Sequence, residues 1–240
     1  LSCLPKTAWP PTSIALLSAT MPFTAKAQDK VEASVGADFV SNYIWRGTDC
    51  GGVSIQPSMG VSYKGLSLTA WGSVGIDKED AREIDLTLGY NTGGFSVSVT
   101  DYWFSYHKED GGYTGDYFKY GAHSTVHIFE ATLGYDFGPL ALSWNTYFAG
   151  DDYTKENGDR AYSTYVGISA PFKLGGLDWS AEVGLTPWEG AYANKFNVTN
   201  LTLKAEKEIK FTNSFSLPTF AQVTFNPHTQ GAYFVFGVSF

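Results

Sequence analysis

Ala232-Tyr233-Phe234-Val235-Phe236-Gly237-Val238-Ser239-Phe240 alternates apolar with small or polar residues and ends on an aromatic. A soluble edge strand with Phe234, Phe236, Val238 and Phe240 on one face would invite aggregation. In a lipid-facing barrel that face is already in its proper solvent. The stretch therefore reads as the closing strand of a membrane β-barrel. A soluble sandwich or lipocalin-like barrel is the alternative, and it would need neither an apolar exterior band nor an aromatic end.

The other end fits an exported protein. Lys6 precedes a moderately apolar stretch, Thr12-Ser13-Ile14-Ala15-Leu16-Leu17-Ser18-Ala19, and Ala25-Lys26-Ala27 supplies the small-x-small pattern cut by signal peptidase. Residues 1–27 are expected to be a signal peptide and residues 28–240 a single outer-membrane barrel. The stretch is too short for a spanning helix, which needs ~20 apolar residues. Cys3 precedes the apolar region instead of following it, which argues against lipidation, and cleavage leaves Cys50 with no partner for an internal disulfide. The formal net charge is −8, and loss of Lys6 and Lys26 makes the balance more acidic. Nucleic acid is excluded as a partner, because binding phosphates needs a basic surface. A chain with these strands and no helical span can cross a bilayer only as a closed sheet, since every backbone N–H and C=O must be paired internally.

Breaks between the alternating segments come in two kinds. Short ones are Lys64-Gly65, Asn91-Thr92-Gly93-Gly94, Phe137-Gly138-Pro139, Lys173-Leu174-Gly175-Gly176 and Lys210-Phe211-Thr212-Asn213; long polar ones cover about 47–52, 77–82, 107–122, 150–160, 187–195 and 226–231. They alternate strictly, long then short. Six long and five short connections predict twelve antiparallel strands in up-and-down order, with tight periplasmic turns and extended outer loops.

Parity sorts the faces. Val53, Ile55, Met59, Val61, Leu66, Leu68, Ile84, Leu86, Leu88, Leu133, Leu142, Val183 and Phe225 fall toward lipid. Tyr63, Tyr90, Tyr135, Phe137, Phe172 and Trp179 sit beside short turns, and Tyr43, Trp45, Trp103 and Trp188 near long loops, as two interfacial girdles require. Pro57, Pro171 and Pro218 lie inside strands, where each deletes a ladder donor and implies a bulge or break. Asp101 and Lys207 fall on the lipid face by parity, which calls for a register reset or an interfacial position.

The opposite parity supplies pore-lining candidates: Asp38, Asn42, Arg46, Lys64, Asp85, Glu130, Asp178, Glu182, Lys204 and Glu206. Two roles are open to them. They form a transverse field that orients polar solutes, or pairs such as Asp178 with Lys204 neutralise each other and plug the bore. Trp71, Tyr147, Tyr165, Phe220 and Tyr233 also point inward and either narrow the bore as a stacking surface for hydroxylated solutes or simply fill it.

Ser41-Asn42-Tyr43-Ile44-Trp45-Arg46-Gly47, with Pro57 and the run Tyr63-Lys64-Gly65-Leu66 to Trp71-Gly72-Ser73, resembles the opening of the TorF-type porins of Gram-negative outer membranes. Asn42 stands where that family usually has Asp. The specific likeness covers about the first fifth of the chain. It implies an outer-membrane barrel, a channel whose substrate is open, and singles out Arg46, either as a functional group or as a structural anchor at the mouth.

No Gly-x-Ser-x-Gly, His-Glu-x-x-His or phosphate-loop pattern occurs. His123 and His127 share a strand face, but four strand residues span ~13 Å, too far to ligate one metal. Outer-membrane phospholipases use a Ser/His pair at the rim, for which His107, His123 or His127 with Ser105 or Ser124 are the candidates. An isolated His near a loop is more often only a polar residue, so no enzyme, cofactor or metal is expected. The Tyr-rich loop 107–120 either folds into the bore, binds a sugar or protein outside, or is simply solvated. Asp151-Asp152 and Asp77 with Glu79-Asp80 are candidate bridges, through divalent cations, to lipopolysaccharide phosphates. The expected partners are outer-membrane lipid, lipopolysaccharide and small polar solutes. The function expected is passive diffusion of those solutes; the alternative is a non-conducting barrel serving as scaffold, adhesin or subunit of an envelope complex.

Overall fold

The computed structural model describes residues 30–108, 112–122, 124–212 and 215–240. The expected signal peptide and His123 lie outside the described residues. All regular elements among the described residues are strands: β1 (Glu32–Val40), β2 (Tyr43–Trp45), β3 (Thr48–Gly51), β4 (Ser54–Tyr63), β5 (Leu66–Gly75), β6 (Arg82–Thr92), β7 (Phe95–Ser105), β8 (Ile128–Asp136), β9 (Ala141–Gly150), β10 (Thr164–Leu174), β11 (Leu177–Thr186), β12 (Asn197–Lys210), β13 (Ser216–Asn226) and β14 (Gly231–Ser239). β1 and β4 to β14 form one closed antiparallel barrel of twelve strands in sequence order, and β2 and β3 form a separate two-stranded hairpin. The short and long connections fall on opposite ends, as the spacing of turn residues requires.

Period-two patterning shapes the wall. Along β6 the burial alternates residue by residue, with Ile84, Leu86, Leu88 and Tyr90 exposed outside and Glu83 and Asp85 buried inside. Leu68, Leu88 and Val99 sit side by side across β5, β6 and β7, and all three are exposed. In water this band would be a liability; in lipid it is the stabilising surface. A twelve-stranded transmembrane barrel is therefore the fold.

The three strand prolines share a solution. Pro57 pairs with Ala37 on one side, and on the other the β4–β5 ladder runs from Ile55↔Val74 to Ser58↔Trp71 without pairing at 56 or 57. Pro171 pairs with Ser180, but β9 has already ended its ladder with β10 at Ser169↔Ala141. Pro218 pairs with Glu208, while the β13–β14 ladder begins only at Thr219. Each proline sits where the ladder on one side is interrupted or has ended, and none shifts the register. Register shifts occur elsewhere: Phe148 of β9 is the extra residue opposite Phe129 and Glu130, and Thr199 of β12 the extra residue opposite Gly184 and Leu185.

Closure is uneven. β1 pairs with β4 along its whole length but with β14 only through Asp38, Phe39 and Val40, extended by reciprocal bonds between Ala37 and Phe240 of 3.2 and 2.9 Å. Lys207 projects outward near the short-turn end of β12, where a long amine reaches the polar boundary without a register change.

Replacing Leu86 by Arg places a cation near mid-height on the outer face. Unfolding in lipid vesicles should show a loss of about 2–4 kcal/mol relative to wild type.

Candidate functional site: a charged aromatic plug in the bore

An eight-stranded barrel is just filled by its own side chains, whereas sixteen or more strands leave an aqueous channel. Twelve strands lie between, and here the chain fills the outer-loop half of the bore with β2 and β3. Residues 47–52 were expected to be part of an outer loop, and Tyr43 and Trp45 part of the lipid girdle. Instead Tyr43 and Trp45 are buried with Trp71, Tyr102, Phe104, Ile128, Tyr147, Tyr165 and Tyr192 in one cluster inside the barrel. Of the four residues assigned to the upper girdle, Trp103 and Trp188 remain on the outside, where Trp188 packs on the outward Trp144.

The turn of the hairpin explains the Arg-Gly pair. Arg46 and Gly47 both have positive φ, 47° and 80°. At Gly47 a Cβ would lie 1.9 Å from the Thr199 carbonyl oxygen, so only glycine fits against β12. The Gly47 carbonyl accepts a bond of 3.0 Å from Asn226 Nδ2. Arg46 has no such freedom; a left-handed backbone costs an ordinary residue roughly 1–2 kcal/mol, which its side-chain contacts must offset.

Those contacts are concentrated. The guanidinium forks onto Glu130, with Nη1 to Oε2 at 2.7 Å and Nη2 to Oε1 at 3.1 Å, and the two side chains are 5% and 0% exposed. Tyr102 donates to Glu130 Oε1 at 2.9 Å, and Thr132 Oγ1 donates to the same oxygen at 3.4 Å. Arg46 Nη1 also donates to the Tyr192 hydroxyl, which in turn donates to Tyr147 at 3.2 Å. Burial pushes the Tyr192 hydroxyl above its ordinary value, so it stays a neutral relay between guanidinium and Tyr147. The guanidinium carbon lies 4.2 Å from the ring centre of Trp45, 4.5 Å from Tyr165 and 5.6 Å from Tyr192. A cation enclosed by three rings and a bidentate carboxylate is thus fully replaced in its hydration shell.

Tyr165 reaches this position because Gly184, across β11, has no side chain; a Cβ there would lie 1.9 Å from the Tyr165 hydroxyl. That hydroxyl donates to Glu182, and Asn200 Nδ2 donates to both groups at 3.0 Å. On the opposite side of the hairpin Tyr43 donates to Glu83 Oε2 at 3.0 Å. Asp85, the next inward residue, is 5% exposed, and its carboxyl shares a hydrogen bond with that of Glu83.

The ten pore-lining candidates divide. Arg46, Asp85, Glu130 and Glu182 meet in or beside the plug. Asp38 is inward and half-buried, Asn42 half-buried on the approach to the hairpin. Lys204 and Glu206 lie in the short-turn half, bridged at 2.7 Å and 14% and 23% exposed, with the amine 4.2 Å from the Phe220 ring centre. Lys64 leaves the bore: it occupies the β4–β5 turn with φ 48°, exposed, its amine 5.4 Å from the Tyr63 ring. Asp178 is 60% exposed at the turn end of β11 and pairs with Lys173 at 2.6 Å. The proposed Asp178–Lys204 pair is therefore replaced by two local ones. Sequence reasoning missed Tyr102 and Tyr192, although inward aromatics at one level on three strands signalled a partner in the bore.

A second buried cluster sits outside the wall. Asp101 does face outward, and the loop after β7 covers it instead of entering the bore. His127 Nδ1 meets Asp101 Oδ1 at 2.7 Å and Nε2 meets the Tyr117 carbonyl at 2.7 Å, with the His127 side chain wholly buried. The Tyr120 ring lies 4.2 Å from His127, and its hydroxyl donates to Asp101 Oδ2 at 3.3 Å. Partial burial and Asp101 push that hydroxyl up to about 12. Both imidazole nitrogens are occupied, so His127 has none left to activate a serine. Ser105 donates to the Thr114 carbonyl at 2.6 Å, and His107 stacks edge-on against Tyr113. Among the described residues no group of three or more His, Cys, Asp or Glu is arranged to hold a metal.

No protein-family model matches the chain, and no curated protein does. A search of solved structures finds BamA from Haemophilus ducreyi lacking POTRA domains 1–3, with a TM-score of 0.38 and 11% identity; the match covers 80% of this chain and 41% of that one. The chain thus spans about two-fifths of the structure it matches.

Removing one member of the buried pair strands the other. Glu130→Gln and Arg46→Ala are each expected to cost about 3–5 kcal/mol in unfolding experiments, and the apolar double variant Arg46→Met/Glu130→Leu considerably less. His127→Leu should release the outer loop, seen as faster tryptic cleavage at Lys119 with the barrel itself intact.

Proposed function

We propose that this is an exported outer-membrane barrel of porin type, embedded in lipid and lipopolysaccharide, that passes small polar solutes and is closed at its outer end by the β2–β3 hairpin. The observation that carries this reading is the division of the bore. Its short-turn half is lined by small, half-buried residues such as Ser58, Gly60, Ser62 and Thr69, while its outer half is filled by the plug around Arg46. The seal is a discrete element. β2 and β3 pair with each other and with no wall strand, so the hairpin can leave without breaking the barrel ladder.

The same seal favours a second reading, a non-conducting barrel whose hairpin is permanent filling and whose work is done by the loops. The packed aromatics and the buried ion pair support it equally well as a static device.

Planar-bilayer recording separates the two. The channel reading expects brief, rare openings from wild type and long-lived open steps from a variant with residues 43–51 replaced by a short Gly-Ser linker. Silence from wild type under all voltages, with conductance only after the hairpin is deleted, supports permanent filling; silence from both overturns the channel.

A further inference from the structure

The plug has the chemistry of a ligand site that already holds its ligand. The cradle around the Arg46 guanidinium consists of a bidentate carboxylate that Tyr102 also donates to, the Tyr192 hydroxyl, and the faces of Trp45, Tyr165 and Tyr192. Apart from Trp45, these groups belong to the wall and its loops, and they stay behind if the hairpin withdraws. What stays is an aromatic-lined pocket whose carboxylate, Glu130, has lost its cation while still accepting from Tyr102 and Thr132. Rings stacked about a cation with a carboxylate at one edge are the arrangement that selects guanidinium and alkylammonium groups over metal ions, which keep their water.

A second observation points the same way. Asp85 pairs with Tyr102 across the β6–β7 ladder, and Tyr102 donates to Glu130. The Asp85 carboxyl in turn shares a hydrogen bond with that of Glu83, the neighbouring inward residue on the same strand. Glu83, Asp85 and Glu130 are thus three buried acidic side chains on the wall, two of them sharing a hydrogen bond, and withdrawal of Arg46 leaves the wall with an excess of acid. Such a constriction attracts cations and repels anions, because charge in a low-dielectric bore is poorly screened.

We propose that the wall pocket formed by Glu130, Tyr102, Tyr147, Tyr165 and Tyr192 is a binding site for small organic cations bearing a guanidinium or ammonium group, with Arg46 as its tethered occupant. A solute of that class competes with Arg46 for Glu130 and so releases the hairpin. As a substrate class this rests on the channel reading above; as a binding site it stands without it.

Chemical replacement of the missing side chain tests it. Arg46→Ala, refolded into detergent micelles, is heated with millimolar guanidinium, methylguanidinium, urea or potassium. Guanidinium and methylguanidinium should raise its unfolding temperature by ~2–4 °C or more. Urea, the neutral isostere, and potassium should not raise it; wild type, whose pocket is filled, should show no rise, and Arg46→Ala/Glu130→Gln should lose the response. An equal rise with urea or potassium, no rise with guanidinium, or a rise that survives Glu130→Gln overturns the site. Should Arg46→Ala fail to refold alone, refolding yield becomes the readout: recovery with guanidinium supports the site, and failure with every additive overturns it. Guanidinium binding without any current through the hairpin-linker variant would leave the site standing and sink the channel.

Discussion

Backbone pairing in a medium without water governs this molecule. A strand in lipid has no other partner for its amides than the next strand, so the ladder must run until it meets itself. Every wall strand is paired on both sides, and the sites of proline show how strictly the rule holds. Pro57, Pro171 and Pro218 lie where a neighbouring ladder is interrupted or has ended. Closure at twelve strands then creates the next problem, a bore wider than inward side chains can fill.

The hairpin answers that problem with a charge instead of grease alone. A buried guanidinium carries a large desolvation penalty, and it is repaid only by good geometry on all sides. The fork onto Glu130, the Tyr192 bond and the three ring faces supply that geometry, and they hold Arg46 in a backbone conformation disfavoured for arginine. Lysine could not substitute on these terms. Its ammonium is a compact, strongly hydrated point charge that cannot form the two parallel bonds. A pair of this kind contributes more to where the hairpin sits than to overall stability, since apolar packing of similar volume does as well energetically.

The wall was legible in the sequence because its period is short and its solvent is uniform. Alternation at two residues places Leu86 outside and Asp85 inside whichever neighbours the strand acquires, and turn residues fix the strand count. The plug was not legible, for a reason of the same kind. Tyr43 and Trp45 next to a loop look alike whether they face lipid headgroups or a packed bore, because both settings want an amphipathic ring. Only the Arg46-Gly47 pair, two positive-φ residues in a tight turn beside β12, distinguishes them, and that needs the Thr199 carbonyl to be in view. Lys64 and Asp178 failed for a simpler reason: parity says which way a residue faces but not how near the rim it lies.

Asp101 shows how an outward charge is reconciled with an apolar exterior. Its parity is correct and no bulge intervenes, as the unbroken pairing of β6 with β7 through Leu86↔Asp101 requires. The remedy comes from sequence that is local in the chain but returns from above the rim. The loop brings the Tyr117 carbonyl and the Tyr120 ring down over the strand, and His127, just before β8, supplies the ring that bridges them to the carboxylate. The wall is thereby thickened at β7 and β8 on the outside, opposite the position where Glu130 and Tyr102 hold the plug inside. Asp101 and Tyr102 are consecutive, as are Phe129 and Glu130, so outer and inner clusters share the same two strands. The continuous β7–β8 ladder, from Phe95↔Tyr135 to Tyr102↔Ile128, holds both clusters at the same height. The outer latch and the inner plug are therefore built on opposite faces of the same two strands, one covering a charge that faces outward and the other pairing a charge that faces inward.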